Sequence, residues 1–180
     1  MRKWMAAPGL AACLALVALA AACGGEDRPK VDVIEDGGTS SASASGPGTA
    51  APGEVSPKPA GAQQVDVVLR EFALEPAVAS VKAGEIYFLA DNRGPADAHE
   101  LVIVKTDLAP DKLPVEKGKV SESKVKVVDE IEAFAAKSQA SKSVKLSAGT
   151  YVLLCNIVET DDGQTESHYE LGMRAALRVE

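Results

Sequence analysis

Short apolar runs recur along the C-terminal two thirds of the chain. The run from Val65 to Leu69 alternates and is rich in β-branched residues, and Glu85 to Ala90 is a second run of strand-forming residues that the polar stretch Asp91 to Pro95 closes. Several short strands separated by turns rich in Gly, Pro and Asp favour a β-sandwich. The predicted strands are Val65–Leu69, Val78–Lys82, Glu85–Ala90, His99–Val104, Ser143–Leu146, Tyr151–Val158 and Met173–Val179.

One stretch interrupts this pattern. Residues 107–140 are polar and rich in lysine, and they contain the pair Leu113-Pro114. The pattern predicts a polar insertion into the sandwich. Within it, Glu130 to Lys137 is compatible with a short helix, but Val125 to Ile131 fits a strand equally well.

The N-terminus has the three-part pattern of a secretory signal. Arg2 and Lys3 form a basic start, an uncharged run follows, and small residues precede Cys23. Residues 19–25 resemble a bacterial lipoprotein signal, although the leucine stands one place early. We therefore expect a signal peptide over residues 1–22 and a lipid on Cys23, with ordinary cleavage after Ala22 as the alternative.

Residues 23–64 join this start to a domain predicted over residues 65–180. The segment is rich in Ser, Ala, Gly and Pro and has no aromatic residue, so it is expected to be a disordered linker behind the lipidated cysteine. The chain carries a formal charge of −7, and this acidic balance argues against nucleic acid as a partner. We expect an exported domain on the periplasmic or cell-surface side of a bacterial membrane.

Candidate metal ligands are few. Cys13 leaves with the signal and Cys23 carries the lipid, so Cys155 is the one thiol left in the domain. The domain also holds two histidines, His99 and His168, and a methionine at position 173. Two imidazoles and a thiolate in a plane, with a weak axial thioether, form the type 1 blue-copper site. The alternatives are a buried, inert Cys155 and a Met173 that only fills the core.

Two segments carry a family resemblance. Residues 83–100 and residues 148–173, which contain Gly-x-Tyr-x-x-x-Cys and His-x-x-x-Gly-Met, resemble the two halves of a cupredoxin. The resemblance implies a Greek-key sandwich with one copper ion. It implies that His99 comes from one strand, inside the fold, and that Cys155, His168 and Met173 come from the last loop, with His168 nearer the surface as the electron exit.

Two asparagines are candidates for hydrogen bonds that fix the ligands. Asn92 closes a predicted strand and Asn156 follows Cys155 directly. Metal ligands are commonly held by such outer hydrogen bonds. The equally good alternative is that Asn92 is a turn residue and Asn156 a strand-end residue.

The chain departs from the cupredoxin pattern between Cys155 and His168. Twelve residues intervene there, where a few are usual in the family, and the added stretch contains the turn signal Asp161-Asp162-Gly163. The stretch can bulge outward as a hairpin and return His168 to the site, or it can pull the site open. The hairpin is the expectation, because a longer loop costs little entropy.

Three functions follow from these residues. The first is a membrane-tethered, one-electron carrier whose partner is a redox protein such as a cytochrome or an oxidase. The second is a lipoprotein that binds or delivers copper without transferring electrons, and the third is a metal-free interaction module. No enzyme is expected, because four protein ligands leave copper without an open position for substrate.

Overall fold

The computed structural model describes residues 52–161 and 163–180. The predicted signal peptide, the lipidation site at Cys23 and most of the predicted linker lie outside the described residues and stay predictions. No helix among the described residues is both long enough and apolar enough to span a membrane.

The described residues form thirteen strands and one short helix. The strands are β1 (Gln63–Arg70), β2 (Ala73–Pro76), β3 (Ser80–Val81), β4 (Gly84–Asn92), β5 (His99–Lys105), β6 (Val115–Glu116), β7 (Lys119–Val120), β8 (Lys126–Phe134), β9 (Gln139–Leu146), β10 (Gly149–Leu154), β11 (Val158–Asp161), β12 (Gln164–Ser167) and β13 (Arg174–Val179). A 3-10 turn covers Glu122–Lys124, and α1 covers His168–Leu171.

Two sheets carry the fold. The first has the order β2-β1-β4-β9 and the second the order β3-β13-β10-β5-β8. The chain crosses between the sheets from β2 to β3, from β3 to β4, from β4 to β5, from β8 to β9 and from β9 to β10. Strand β1 runs parallel to β4. The predicted fold class, an all-β Greek-key sandwich, is confirmed.

Alternation along the strands decides which side chains form the core. In β1, Val65, Val67 and Leu69 are fully buried while Asp66 is exposed. In β10, Tyr151 and Leu153 point into the space between the sheets with Cys155 beyond them. The alternate side chains of this strand point to the opposite face, where they join a second apolar cluster: Val102, Val104, Leu113, Val120, Val152, Leu154 and Tyr169. The five-stranded sheet is therefore buried on both faces.

The polar insertion expected over residues 107–140 is narrower in the structure. Its second half supplies β8, which pairs antiparallel with β5, and the start of β9, which pairs with β4. The strand reading of Val125 to Ile131 is thus confirmed, and no helix forms over residues 130–137. Only residues 107–125 lie outside the sandwich, and their side chains Leu113 and Val120 cover the second apolar cluster.

The described domain begins before Val65, the expected boundary. The backbone amide of Ser141 donates to the carbonyl oxygen of Glu54 at 2.9 Å, and the Tyr87 hydroxyl donates to the carbonyl oxygen of Ser56 at 2.8 Å. The amide of Gly53 donates to the hydroxyl oxygen of Ser138 at 3.1 Å. The last part of the predicted linker therefore lies along β9.

Truncation of Leu153 to alanine tests the core between the sheets. Leu153 has no exposed surface, so Leu153→Ala removes buried methyl groups and leaves a cavity. We expect the free energy of unfolding of the metal-free protein to fall by about 2–5 kcal/mol. Urea unfolding measures the loss. The control Leu108→Ala, at a side chain that is 47% exposed, should change stability by no more than about 0.5 kcal/mol. Equal losses in the two variants would contradict this packing.

Candidate metal centre

Three donor side chains meet at one end of the sandwich. The sulfur of Cys155 lies 3.4 Å from Nδ1 of His168, and Nδ1 of His99 lies 3.2 Å from the same nitrogen. All three residues have no exposed surface. They come from separate elements: His99 begins β5, Cys155 follows β10, and His168 begins α1. The structure therefore brings together the predicted thiol and both predicted imidazoles.

Backbone hydrogen bonds hold Met173 beside these donors. The amide of Met173 donates to the carbonyl oxygen of His168 at 2.9 Å, and the amide of Cys155 donates to the carbonyl oxygen of Met173 at 3.0 Å. Gly172 between them has φ 134, a left-handed conformation that favours glycine. The side chain of Met173 is fully buried in the core. Its role as the axial ligand stays a prediction.

The long segment between Cys155 and His168 forms the expected outward hairpin. Strands β11 and β12 pair antiparallel from Val158 opposite Ser167 to Asp161 opposite Gln164. The amide of His168 donates to the carbonyl oxygen of Ile157 at 3.1 Å and closes the base of the hairpin. The added residues therefore extend away from the site, and the hydrogen bond at the base of the hairpin keeps His168 next to Cys155. The site stays closed.

His168 has no exposed surface, and neither has His99, the ligand expected to lie deeper in the fold. The ring of Phe72 packs against the His168 imidazole with a centroid distance of 5.1 Å and an interplanar angle of 63°. Phe72 lies in the turn between β1 and β2 and is itself half-buried. Nothing in the local sequence marks this contact, because Phe72 is far from His168 along the chain.

The two asparagines bond to loops next to the site. The amide group of Asn92 donates to the carbonyl oxygen of Asp97 at 2.9 Å, and its Oδ1 accepts from the amide of Gly94 at 3.0 Å. It thereby shapes the loop that leads into His99.

Asn156 bonds to a different loop. Its Oδ1 accepts from the amide of Val120 at 2.7 Å, and its Nδ2 donates to the carbonyl oxygen of the same residue at 3.0 Å. Asn156 directly follows Cys155, so these bonds tie β7 to the chain next to the thiol. A direct bond from either asparagine to a ligand stays a prediction.

Burial keeps all three donors neutral. Burial, with the nearby Glu100 carboxylate, raises the pKa of the Cys155 thiol far above its usual range. Burial and the neighbouring His168 lower the pKa of His99 to about 4, and burial lowers that of His168. Burial also raises the pKa of Glu100 to about 7, although its Oε1 accepts from the amide of Asn156 at 2.8 Å.

The donor set fits a soft cation. Thiolate and neutral imidazole are the protein ligands that copper and zinc prefer, and a bound cation deprotonates a ligating thiol outright. A buried thiolate without such a cation is strongly disfavoured. The residues present therefore suit one type 1 copper ion held by His99, Cys155 and His168.

Comparisons with known proteins give structural neighbours only. No protein-family model matches the chain, and no curated protein matches it. An auracyanin of Roseiflexus castenholzii is 21% identical with a TM-score of 0.48, over 67% of this chain and 99% of that one. Auracyanin A of Chloroflexus aurantiacus, described as a "blue" copper protein, is 17% identical with a TM-score of 0.46, over 67% and 100%.

An azurin of Methylomonas sp. strain J is more distant, at 14% identity and a TM-score of 0.42 over 66% of this chain and 98% of that one. Because all three TM-scores lie below 0.5, the assignment of the site rests on its own donor atoms.

The buried ionisable groups predict how stability depends on pH. The folded pKa of His99 lies below its ordinary 6.5, so its contribution is complete above pH 6.5 and is lost as pH falls toward 4. Glu100, raised from 4.5 to about 7, acts oppositely and destabilises the fold as pH rises through that range. The lowered pKa of His99 alone corresponds to about 3 kcal/mol in the free energy of unfolding.

We therefore expect Glu100→Gln to steepen the rise in stability of the metal-free protein between pH 4.5 and 6.5, because it removes the opposing group. Urea unfolding across that interval measures the slope. Glu85→Gln, an exposed site on β4, is the matched control and should leave the slope unchanged. A slope in Glu100→Gln equal to that of the unsubstituted protein would show that Glu100 is not held neutral by the fold.

Proposed function

We propose that this protein is an extracytoplasmic type 1 copper protein, tethered to a bacterial membrane by a lipid on Cys23, that transfers single electrons without bond chemistry. The observation that supports it most is the approach of the Cys155 sulfur and the His99 nitrogen to Nδ1 of His168 at 3.4 and 3.2 Å. Bound copper supplies the one-electron couple.

The chain contributes a dry and rigid ligand set. All three donors are fully buried, and the backbone of Met173 is hydrogen-bonded to those of Cys155 and His168. Such ligands move little when the charge on the metal changes, and few water molecules have to reorient. With Met173 as the fourth donor, the site has no open position for substrate, which is why we propose a carrier and not an enzyme.

Electrons have to pass through the cover of the site. Phe72 contacts the His168 ring, and Leu171, on α1, is 51% exposed. We assign the contact surface for a redox protein, such as a cytochrome or an oxidase, to the neighbourhood of these two side chains. The linker predicted from the sequence would give the domain the reach to meet a partner in or on the same membrane.

The visible spectrum tests the copper site directly. Cu(II) is added to the metal-free full-length protein, and the copper-loaded protein is then purified. It should show an intense thiolate-to-copper band and the spin-resonance signal of a type 1 centre. A colourless protein with a titratable thiol would sink the proposal and leave a metal-free interaction module. Rapid loss of copper to a chelator, together with slow electron exchange, would favour copper handling instead.

Replacement of the thiol tests which cysteine binds copper. Cys155→Ser removes the only strongly mixing donor of the site and should abolish the band, while the fold survives with a loss of about 1–3 kcal/mol for the buried hydroxyl. The matched control Cys23→Ser should keep the band and release the protein from membranes. Absorbance and membrane fractionation give the two readouts. Colour retained in Cys155→Ser would show that the thiolate assignment is wrong.

Replacement of the thioether tests the axial role. Met173 is fully buried beside Cys155, so Met173→Leu preserves the apolar volume and removes a weak donor. We expect the band to persist and the reduction potential to rise, since the thioether donates weakly to the oxidised ion. Voltammetry of the copper-loaded variant measures the shift. Complete loss of copper binding would mean that Met173 is needed for binding and does not only adjust the potential.

A further inference from the structure

The two ring nitrogens of His168 have different surroundings. Nδ1 faces the Cys155 sulfur and the His99 ring, at 3.4 and 3.2 Å. Nε2 is buried and has no hydrogen-bond partner among the described residues. An imidazole that binds metal through one nitrogen usually donates its other N–H to a carboxylate, a carbonyl or water, and this bond decides which nitrogen carries the proton. The group that faces Nε2 therefore influences which nitrogen of His168 is free to bind metal.

Two carboxylates lie beside this imidazole. His168 belongs to a second group of possible ligands, with Asp97 and Glu159. A ring nitrogen of His168 and one oxygen of each carboxylate lie within 4.8 Å of one another. Nδ1 already faces the Cys155 sulfur and the His99 ring, so we take Nε2 as the nitrogen that faces the carboxylates. Burial lowers the pKa of His168, and the charge of Asp97 opposes that effect, which agrees with their closeness.

Asp97 is anchored on both sides of its backbone. Its amide donates to Oε1 of Glu71 at 2.8 Å, and its carbonyl oxygen accepts from Nδ2 of the buried Asn92 at 2.9 Å. Gly94 leaves room for the Glu71 carboxylate, because a Cβ at position 94 would lie 2.5 Å from Oε1. Three residues thus hold the loop that presents Asp97 to His168.

Glu159 arrives from the other direction, on the hairpin. It is the second residue of β11, opposite Glu166 on β12, and it is half-buried near the base. The base is fixed by the pairing of Val158 with Ser167 and by the bond from the His168 amide to Ile157. The extension between Cys155 and His168 therefore brings a carboxylate to the outer side of the ligand that it precedes.

We propose that Asp97 and Glu159 are positioning residues for His168: their charges keep the proton on Nε2 and leave the Nδ1 lone pair directed at the metal. This inference rests on the proposed copper site. Negative charge at the outer nitrogen makes Nδ1 a stronger donor and favours the oxidised ion over the reduced one. In the metal-free protein, the same tautomer lets Nδ1 of His168 accept a hydrogen bond from Nδ1–H of His99.

The test compares the double variant Asp97→Asn, Glu159→Gln with Glu85→Gln, which removes a carboxylate of β4 outside this group. Amides keep the size of the carboxylates but remove the charge and accept weaker hydrogen bonds. In the metal-free protein, nitrogen-15 NMR should show His168 protonated on Nε2, and the double variant should shift part of the population to Nδ1. Asp97→Glu in place of Asp97→Asn keeps the charge at position 97. It should restore part of the tautomer population that the double variant loses.

The copper-loaded proteins give a second readout. The double variant should keep the blue band, bind Cu(II) about 10–100-fold more weakly and have a higher reduction potential. An unchanged tautomer and potential, relative to Glu85→Gln, would overturn the inference. So would a second Zn²⁺ ion that binds the copper-loaded protein only when Asp97 and Glu159 are intact, since the group would then be a cation site. Absence of the blue band in the unsubstituted protein would instead refute the copper site, and the NMR comparison would still stand or fall independently.

Discussion

The site depends on the closure of one loop. Cys155 and His168 are separated by twelve residues, yet Sγ and Nδ1 lie 3.4 Å apart. The distance is short because β11 and β12 pair along their whole length, and because the amide of His168 bonds to the carbonyl oxygen of Ile157. Without this pairing the two donors would be tied only by a flexible segment, and the entropy of that segment would oppose their approach.

The two segments that interrupt the sandwich stabilise each other. Gly118, in the turn between β6 and β7, has φ 80, and its carbonyl oxygen accepts a hydrogen bond from the Ser167 hydroxyl at the base of the ligand hairpin. Ser167 also caps α1 by accepting from the amide of Glu170 at 3.1 Å. Asn156 binds the backbone of Val120 in both directions. Residues 107–125, which look optional in the sequence, thus hold both ends of the ligand loop.

The sequence predicts the parts of this structure that depend on local pattern. Apolar alternation locates most strands, and the rarity of His and Cys in the domain identifies the three donors that the structure brings together. Local pattern does not decide β8 between a strand and a helix, because this edge strand is half exposed and carries many charges. It also misses Phe72 over His168 and Glu71 beneath Asp97, since both contacts join residues that are distant along the chain.

Burial of His168 changes how the proposed electron carrier would exchange electrons. A ligand ring at the surface can touch a partner directly, but here Phe72 covers the imidazole and α1 carries its own exposed Leu171. The cover keeps water from the ring, which strengthens every electrostatic interaction inside, including that of Asp97 with His168. It also lengthens the path to any partner by the width of a side chain. The surroundings of this ligand therefore consist of protein groups. In the copper site that we propose, those groups would adjust the properties of the metal.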